Sequence, residues 1–467
     1  MKTSRMSSFD ATKSKSRLRA LLPAAIIAGL IVIVGFAVVN PPRVAATYLD
    51  FNAFYCGARI LAAGGDPYRY EPLHACEVAN LHSATPNAVV PAPLPPYALA
   101  GFVPLSRLAY ARAQFIWWLI LVASGMAILF VVIEATGLPM LLAGTFVLLG
   151  ILLPSLMVGS LALLPIALLC LSAIAISRKR WTAATLLQAV ACVEPHVALP
   201  VLLTTFAFVP AMRARLAAAI AGIAAISILT GHMALNGEYF TQVLPAHSVS
   251  EIGNAQQYSL SAQLHWAGLP EATSARIADA QYVLFILAGL WLVQRLRGSI
   301  PESIVFVPMA LAVSGGPFVH LTQLGAATPL ALVIAVHRNT AVAWIGATLL
   351  AAAIPWQASI GLGGAFAALV LLTSLLYRRV PWPAALAFAI AGGALLTYIQ
   401  LPELLRHQTL VLASVSPNAL AEIPWRELAD QFPPTPFSWF GHLLIYTGLA
   451  SVVYSAVVLT KAATRDG

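Results

Sequence analysis

The chain has 467 residues, 60% of them hydrophobic and only 9% charged, with a net charge of +9 and a mean hydropathy of +0.84. A soluble domain carries about 25% charged residues, so a large soluble domain is excluded and an all-α polytopic membrane protein is predicted. The positive balance does not point to nucleic acid, because Lys and Arg are scattered over the N-terminus and short loops, the pattern that orients membrane proteins.

Residues 1–20 form a basic tail in which Lys2, Arg5, Lys13, Lys15, Arg17 and Arg19 face one acid, Asp10, and which is expected in the cytoplasm. The apolar run 21–39 is long enough to span a bilayer and too long for a signal-peptide core. It puts the loop 40–93 outside. There Phe51, Phe54, Tyr55, Ala58 and Leu61 recur at helical spacing, with Arg59 off the stripe. Gly64-Gly65 stops this helix and Asp66-Pro67 turns the chain. A short helix with an aromatic face beside a bilayer reads as interfacial. Cys56 and Cys76 share the loop, and either a disulfide or two separate thiols fits. Cys170 and Cys192 lie in apolar runs and read as inert.

Residues 94–105 then read as a crossing, Arg107 and Arg112 as a cytoplasmic turn, and 113–133 as the outward return. Arg178-Lys179-Arg180 should be cytoplasmic, which leaves one apolar run too many before it; residues 138–153 are therefore expected to be re-entrant or half-spanning. Further on, Arg213 with Arg215, Arg295 with Arg297, His337 with Arg338, Arg378 with Arg379, and Lys461 fall at every second helix end. This places the loops 236–278 and 401–438 outside. Residues 21–467 form one transmembrane domain of about 12–14 crossings, given roughly 20 apolar residues per crossing.

Asp50 is the first chemical candidate, as the N-cap of the helix that follows, as a general base at the membrane surface, or as both. Glu194 and His196 flank Pro195 in an apolar stretch, where ionisable groups face each other or a cavity. His320 falls at an outer helix end, on the side of Asp50. Gln256, Gln257, His265 and Trp266 lie in an outside loop, as sugar or lipid contacts or as solvated residues. Arg406, His407 and Arg426 read as phosphate contacts or as a basic face on lipid headgroups. No Walker loop, dinucleotide fingerprint, Cys-x-x-Cys or His-Glu-x-x-His pattern is present.

The pattern Asp50-Phe51-x-x-Phe54-Tyr55-x-x-Ala58-Arg59, followed by Leu61-x-x-Gly64-Gly65-Asp66-Pro67-Tyr68, resembles the first outside loop of glycosyltransferase family 87. That family comprises polyprenyl-phosphate-mannose-dependent mannosyltransferases of the GT-C membrane fold. Pro95-Pro96-Tyr97-x-Leu99, Gln256-Gln257-Tyr258-Ser259-Leu260 and Ser314-Gly315-Gly316-Pro317-x-x-His320 resemble later family segments in the same order. The chain departs from the family at Glu194-Pro195-His196, where Lys-Pro is common, at Gly159-Ser160 in place of Gly-Gln, and after His320, where a second His is common.

The resemblance implies a GT-C-like helical bundle with interfacial helices in the first outside loop. It implies transfer of a hexose, mannose foremost, from a polyprenyl-phosphate donor to a hydroxyl of a lipid-linked or glycan acceptor, with inversion and with Asp50 as base. His320, Tyr55, Arg59, Asp66, Tyr97, Glu194, His196, Gln256, Gln257, His265 and Arg406 would bind the substrates. The implied location is the bacterial cytoplasmic (inner) membrane, with the site on the periplasmic face and membrane lipids as its surroundings. The leaving phosphate is already a stable anion, so one carboxylate suffices where glycoside hydrolysis uses two. No cofactor is implied with certainty, and a divalent metal has no evident ligand motif. Two other classes stay open: a lipid or glycan transporter or flippase, which would want charges deep inside several helices, and a catalytically altered homologue with an assembly role.

Overall fold

The computed structural model describes residues 48–81, 89–358, 415–431, 434 and 436–463. The basic tail, the run 21–39, Arg378, Arg379, Arg406 and His407 lie outside the described residues. Among the described residues the chain is helical, with isolated bridges and no strand. Four helices are long and apolar enough to cross a membrane: Tyr110–Thr136, Pro210–Ser250, Glu271–Leu296 and Ser438–Thr460. Shorter apolar helices fill the spaces between them.

Helix α1 (Leu49–Ala62) is covered on nearly all sides over its first half, where Phe51, Asn52, Ala53, Tyr55, Cys56, Gly57 and Ala58 are buried. Its aromatic stripe meets protein. Phe51 stacks on Trp117 at 5.6 Å and on Tyr110 at 6.0 Å, and Phe54 meets Phe102 at 5.5 Å. Gly64 ends the helix region with a φ of 77°. Helix α2 (Tyr70–Leu81) is tied back to α1 by a Cys56–Cys76 disulfide and by Asn80, whose Nδ2 donates to Asn52 Oδ1 at 2.9 Å.

Helix α3 (Pro96–Ser106) is too short to cross a bilayer, and the turn after it stays at the level of α1. Tyr55 donates its hydroxyl to the Leu108 carbonyl at 2.7 Å. The expected crossing at 94–105, with Arg107 at the far end, is thus corrected: the aromatic contacts of α1 with Phe102, Tyr110 and Trp117 hold both sides of this turn beside Asp50. The first long helix, α4 (Tyr110–Thr136), therefore starts at that end and runs away from it. Near its other end Glu134 pairs with Arg178 at 3.2 Å, about 36 Å of helix from Tyr110 at 1.5 Å per residue.

The chain returns through α5 (Met140–Val147), a π-helical turn (Leu148–Leu152) and α6 (Leu153–Val158), closing at Gly159, whose carbonyl accepts from Trp117 Nε1 at 2.9 Å. Residues 138–153 belong to a segment that traverses the bundle, and the expectation of a re-entrant run is corrected with the first. One reason serves both: the run that fails to cross is 96–106. Helix α7 (Leu163–Ser177) then descends to Arg178-Lys179-Arg180, α8 (Trp181–Ala191) returns, and α9 (Pro195–Phe208) descends again. Arg213 lies over Phe206 and Arg297 over Phe208, so these basic loops join Arg178 at the end opposite Asp50, while Arg107 stays at the Asp50 end.

Helix α10 (Arg213–Glu238) is broken at His232, with φ 51° and ψ 170°. A break strands backbone carbonyls that lipid or apolar neighbours would leave unpaired. Asn236 satisfies them, donating Nδ2 to His232 O at 2.7 Å and Ser227 O at 2.9 Å while its Oδ1 accepts from Ser227 Oγ at 2.6 Å. Beyond a π turn (Tyr239–Val243), α11 (Leu244–Ser250) and α12 (Leu260–Trp266) stay at the Asp50 end. There follow α13 (Glu271–Leu296), α14 (Ser303–Gly315), a 3-10 turn (Gln323–Ala327), α15 (Thr328–Arg338), α16 (Ala341–Ala358), α17 (Glu422–Asp430) and α18 (Pro436–Ala463). Ile220, Ile226 and Leu229 on α10 and Leu284 and Leu287 on α13 are exposed. So broad an apolar surface on two of the long helices suits lipid and not water.

Candidate active site

Asp50 occupies the first turn of α1 and does not cap it. The helix starts at Leu49, its N-cap is Tyr48, and no side chain bonds the free amides, so the N-cap reading of Asp50 is corrected. Tyr48 is wholly buried and packs on Gly159, whose φ is 72°; a Cβ there would stand 2.7 Å from Tyr48 Cδ1. The bare glycine seats the helix start and presents the next residue to it. Ser160 Oγ donates to the Asp50 carboxylate and in turn accepts from Thr322 Oγ1, 3.0 Å away.

Thr322 belongs to the segment that carries His320. This segment is held by its backbone: Gln257 and His320 form an antiparallel bridge, Gln257 Oε1 accepts from Val319 N at 2.6 Å, and Tyr258 N donates to Val319 O at 2.7 Å. Gln323 Oε1 accepts from His320 N at 2.8 Å, and Gln323 Nε2 donates to Glu194 Oε1 at 2.6 Å. His196 Nε2 stands 3.6 Å from the same oxygen, the pair predicted from their spacing. The third carboxylate is Glu251, which accepts from Trp425 Nε1 and, at 2.8 Å, from Asn254 Nδ2.

Burial raises the Asp50 carboxyl to about 6; His320 and the Ser160 bond act against the rise and Glu251 adds to it. Burial likewise raises Glu194 to about 7, opposed by the Gln323 bond and helped by Asp50. Asp50 thus stays mostly ionised at neutral pH yet binds a proton more tightly than an ordinary aspartate. That combination suits a base that must accept a hydroxyl proton.

The predicted residues divide into two groups. Asp50, Glu194, His196, Gln257 and His320 meet in this polar cluster. Gln257 acts there through its backbone bridge to His320 and its side-chain Oε1 on Val319, and its neighbour Gln256 is exposed. The others are engaged elsewhere: Tyr55 on Leu108, Tyr97 on the Cys192 carbonyl at 2.6 Å, and Asp66 in its own turn, accepting from Tyr68 N and Arg69 Nε. Arg59 lines an open groove of about 590 Å³ with Arg107 and Tyr110. His265 sits on α12 beside Trp266, which packs edge-on against His442. Arg426 pairs with Glu271 at 2.5 Å. Arg406 lies outside the described residues.

Sequence reasoning missed Ser160 as a partner of Asp50, Gln323, Glu251 and His247. For the last two a signal existed: His247 and Glu251 are four residues apart, one helical turn, in a loop already marked as outside. His442, whose ring nitrogens stand 2.6 Å from Ser438 O and 3.1 Å from Gln257 O and can only donate to these carbonyls, comes from the last helix and has no sequence signature. No protein-family model matches the chain, and neither a curated protein nor a solved structure matches it.

Proposed function

We propose that the chain is an integral-membrane glycosyltransferase that moves a hexose, mannose foremost, from a polyprenyl-phosphate carrier to a hydroxyl of a lipid-linked or glycan acceptor. Asp50 takes the acceptor proton, and the hydroxyl oxygen attacks the anomeric carbon as the carrier phosphate departs. The observation that carries the reading is the half-buried Asp50 carboxyl, raised to about 6, inside a polar cluster gathered from distant segments of an apolar helical bundle. Such groups are costly in apolar surroundings and are kept for function.

Sidedness supports the same reading. Arg178, Lys179, Arg180, Arg213 and Arg297 gather at the end away from Asp50, as the positive-inside rule asks of a cytoplasmic end. The Cys56–Cys76 disulfide lies at the Asp50 end, as an oxidising periplasm would allow. An active site facing away from the cytoplasm has no nucleotide-sugar supply, which favours a lipid-borne donor.

The test is transfer from labelled polyprenyl-phosphate-mannose in membranes containing the wild type or Asp50→Asn. The reading expects a loss of roughly 10²–10⁴ in rate for the variant, the range of general-base catalysis. Retained transfer by Asp50→Asn, or none by the wild type to any membrane acceptor, overturns it.

A further inference from the structure

We propose that His247, Glu251 and His320 hold a divalent transition-metal ion, of the Zn²⁺ or Mn²⁺ class, beside Asp50. One ligand atom from each of the three lies within 4.8 Å of the other two. Atoms bound to zinc at 2.0–2.2 Å in tetrahedral array stand about 3.4 Å apart, so the set closes on an ion when its separations shrink by up to about 1.4 Å. Two imidazoles and one carboxylate, with a fourth position left open, are a donor set that zinc uses where it meets substrate.

Independent observations point to a ligand. His247 is 7% exposed, yet its Nδ1 is buried with no hydrogen-bond partner. An orphaned imidazole nitrogen in such a place is costly unless something binds it. Glu251 is already aimed, since Trp425 Nε1 and Asn254 Nδ2 each donate to one of its oxygens and leave further lone pairs for a cation. The Phe318 ring packs against both imidazoles, 4.8 Å from His247 and 4.6 Å from His320, and limits their rotation. His320 is fixed from behind through its backbone, by Gln323 and by the bridge to Gln257.

Charge argues the same way. Glu251 lies close enough to Asp50 to raise its carboxyl, and Asp50 does the same to Glu194, so carboxylates gather here with no Lys or Arg among the groups that shift Asp50. A divalent ion supplies the missing positive charge. Its open position would face an anionic oxygen of the phosphate class, from a lipid carrier or from free phosphate.

The proposal stands apart from sugar transfer, because its readout is metal occupancy. Purified full-length protein in detergent is stripped with a chelator, dialysed against Zn²⁺ or Mn²⁺, freed of excess ion and analysed for metal per chain. One ion per wild-type chain, absent from His247→Ala and from Glu251→Gln, is the expected result. Glu251→Gln keeps the side-chain shape, so loss of the ion there is separable from misfolding, which monodispersity and helical circular dichroism monitor. Co²⁺ loaded into the wild type should give the visible absorption of a tetrahedral nitrogen–oxygen site, and the band should vanish in either variant. No retained ion in the wild type, or equal retention by wild type and both variants, overturns the proposal.

Discussion

Gln323 Nε2 donates to Glu194 Oε1 at 2.6 Å, while the other end of the same amide accepts from the His320 backbone at 2.8 Å. One side chain therefore couples a carboxylate at the head of α9 to the histidine segment facing Asp50. Gln323→Leu removes both bonds and leaves Glu194 buried with no donor from this side. The expected cost is about 2–3 kcal/mol of stability, from groups left unsatisfied, together with a drop in transfer rate larger than the stability loss explains. Thermal unfolding in detergent beside the membrane assay checks it; unchanged values for both would refute the coupling.

Asp50→Asn should separate chemistry from stability. The folded protein holds the Asp50 proton more tightly than the unfolded chain, so ionisation between about pH 4 and 6 works against folding. Removing the charge should leave the melting temperature at neutral pH equal or higher while transfer collapses. A variant that melts lower than wild type would mean the carboxylate is there for structure.

Glu422, on α17, is 2% exposed and raised to about 8 by burial, with Asp66 and Glu251 adding to the rise and Arg69 opposing it. The sign follows from the raised value. Stability is full below the unfolded carboxyl near 4.5 and falls as pH climbs toward 8, where the folded protein must give up the proton. Glu422→Gln should make the fall of the melting temperature between pH 5 and 8 shallower than in the wild type. An unchanged slope would count against this assignment.

Gly159→Ala places a Cβ 2.7 Å from the Tyr48 ring at a backbone φ of 72°. The strain should cost about 1–3 kcal/mol. Because Tyr48 precedes Asp50 and Ser160 bonds it, transfer should fall as well. Gly137→Ala, also at positive φ but with open space around it, is the matched control and should lose stability only.

The periodicity of residues 51–61 revealed α1, and the turn chemistry at Gly64-Gly65-Asp66-Pro67 revealed its end, because both are local properties. The fate of residues 96–106 was not legible. An apolar run of that length suits a short buried helix as well as part of a crossing, and only the contacts of Tyr55, Phe51 and Phe54 with residues far along the chain decide it. The same limit explains the site. Asp50, Glu194 and His320 carry their own signals as ionisable groups in apolar sequence. Ser160, Gln323 and His442 matter only through partners that tertiary packing brings to them.

The cross-link between Cys56 and Cys76 closes a loop of 20 residues, and removing it with paired Cys→Ser changes should cost about 3 kcal/mol. Its wider consequence concerns timing. Helix α1 carries Asp50 but gains its covalent brace only where thiols oxidise. A newly made chain on the reducing side of a membrane would hold the Asp50 helix by packing alone. The brace would then form only in an oxidising compartment, after the helix that carries Asp50 has already packed.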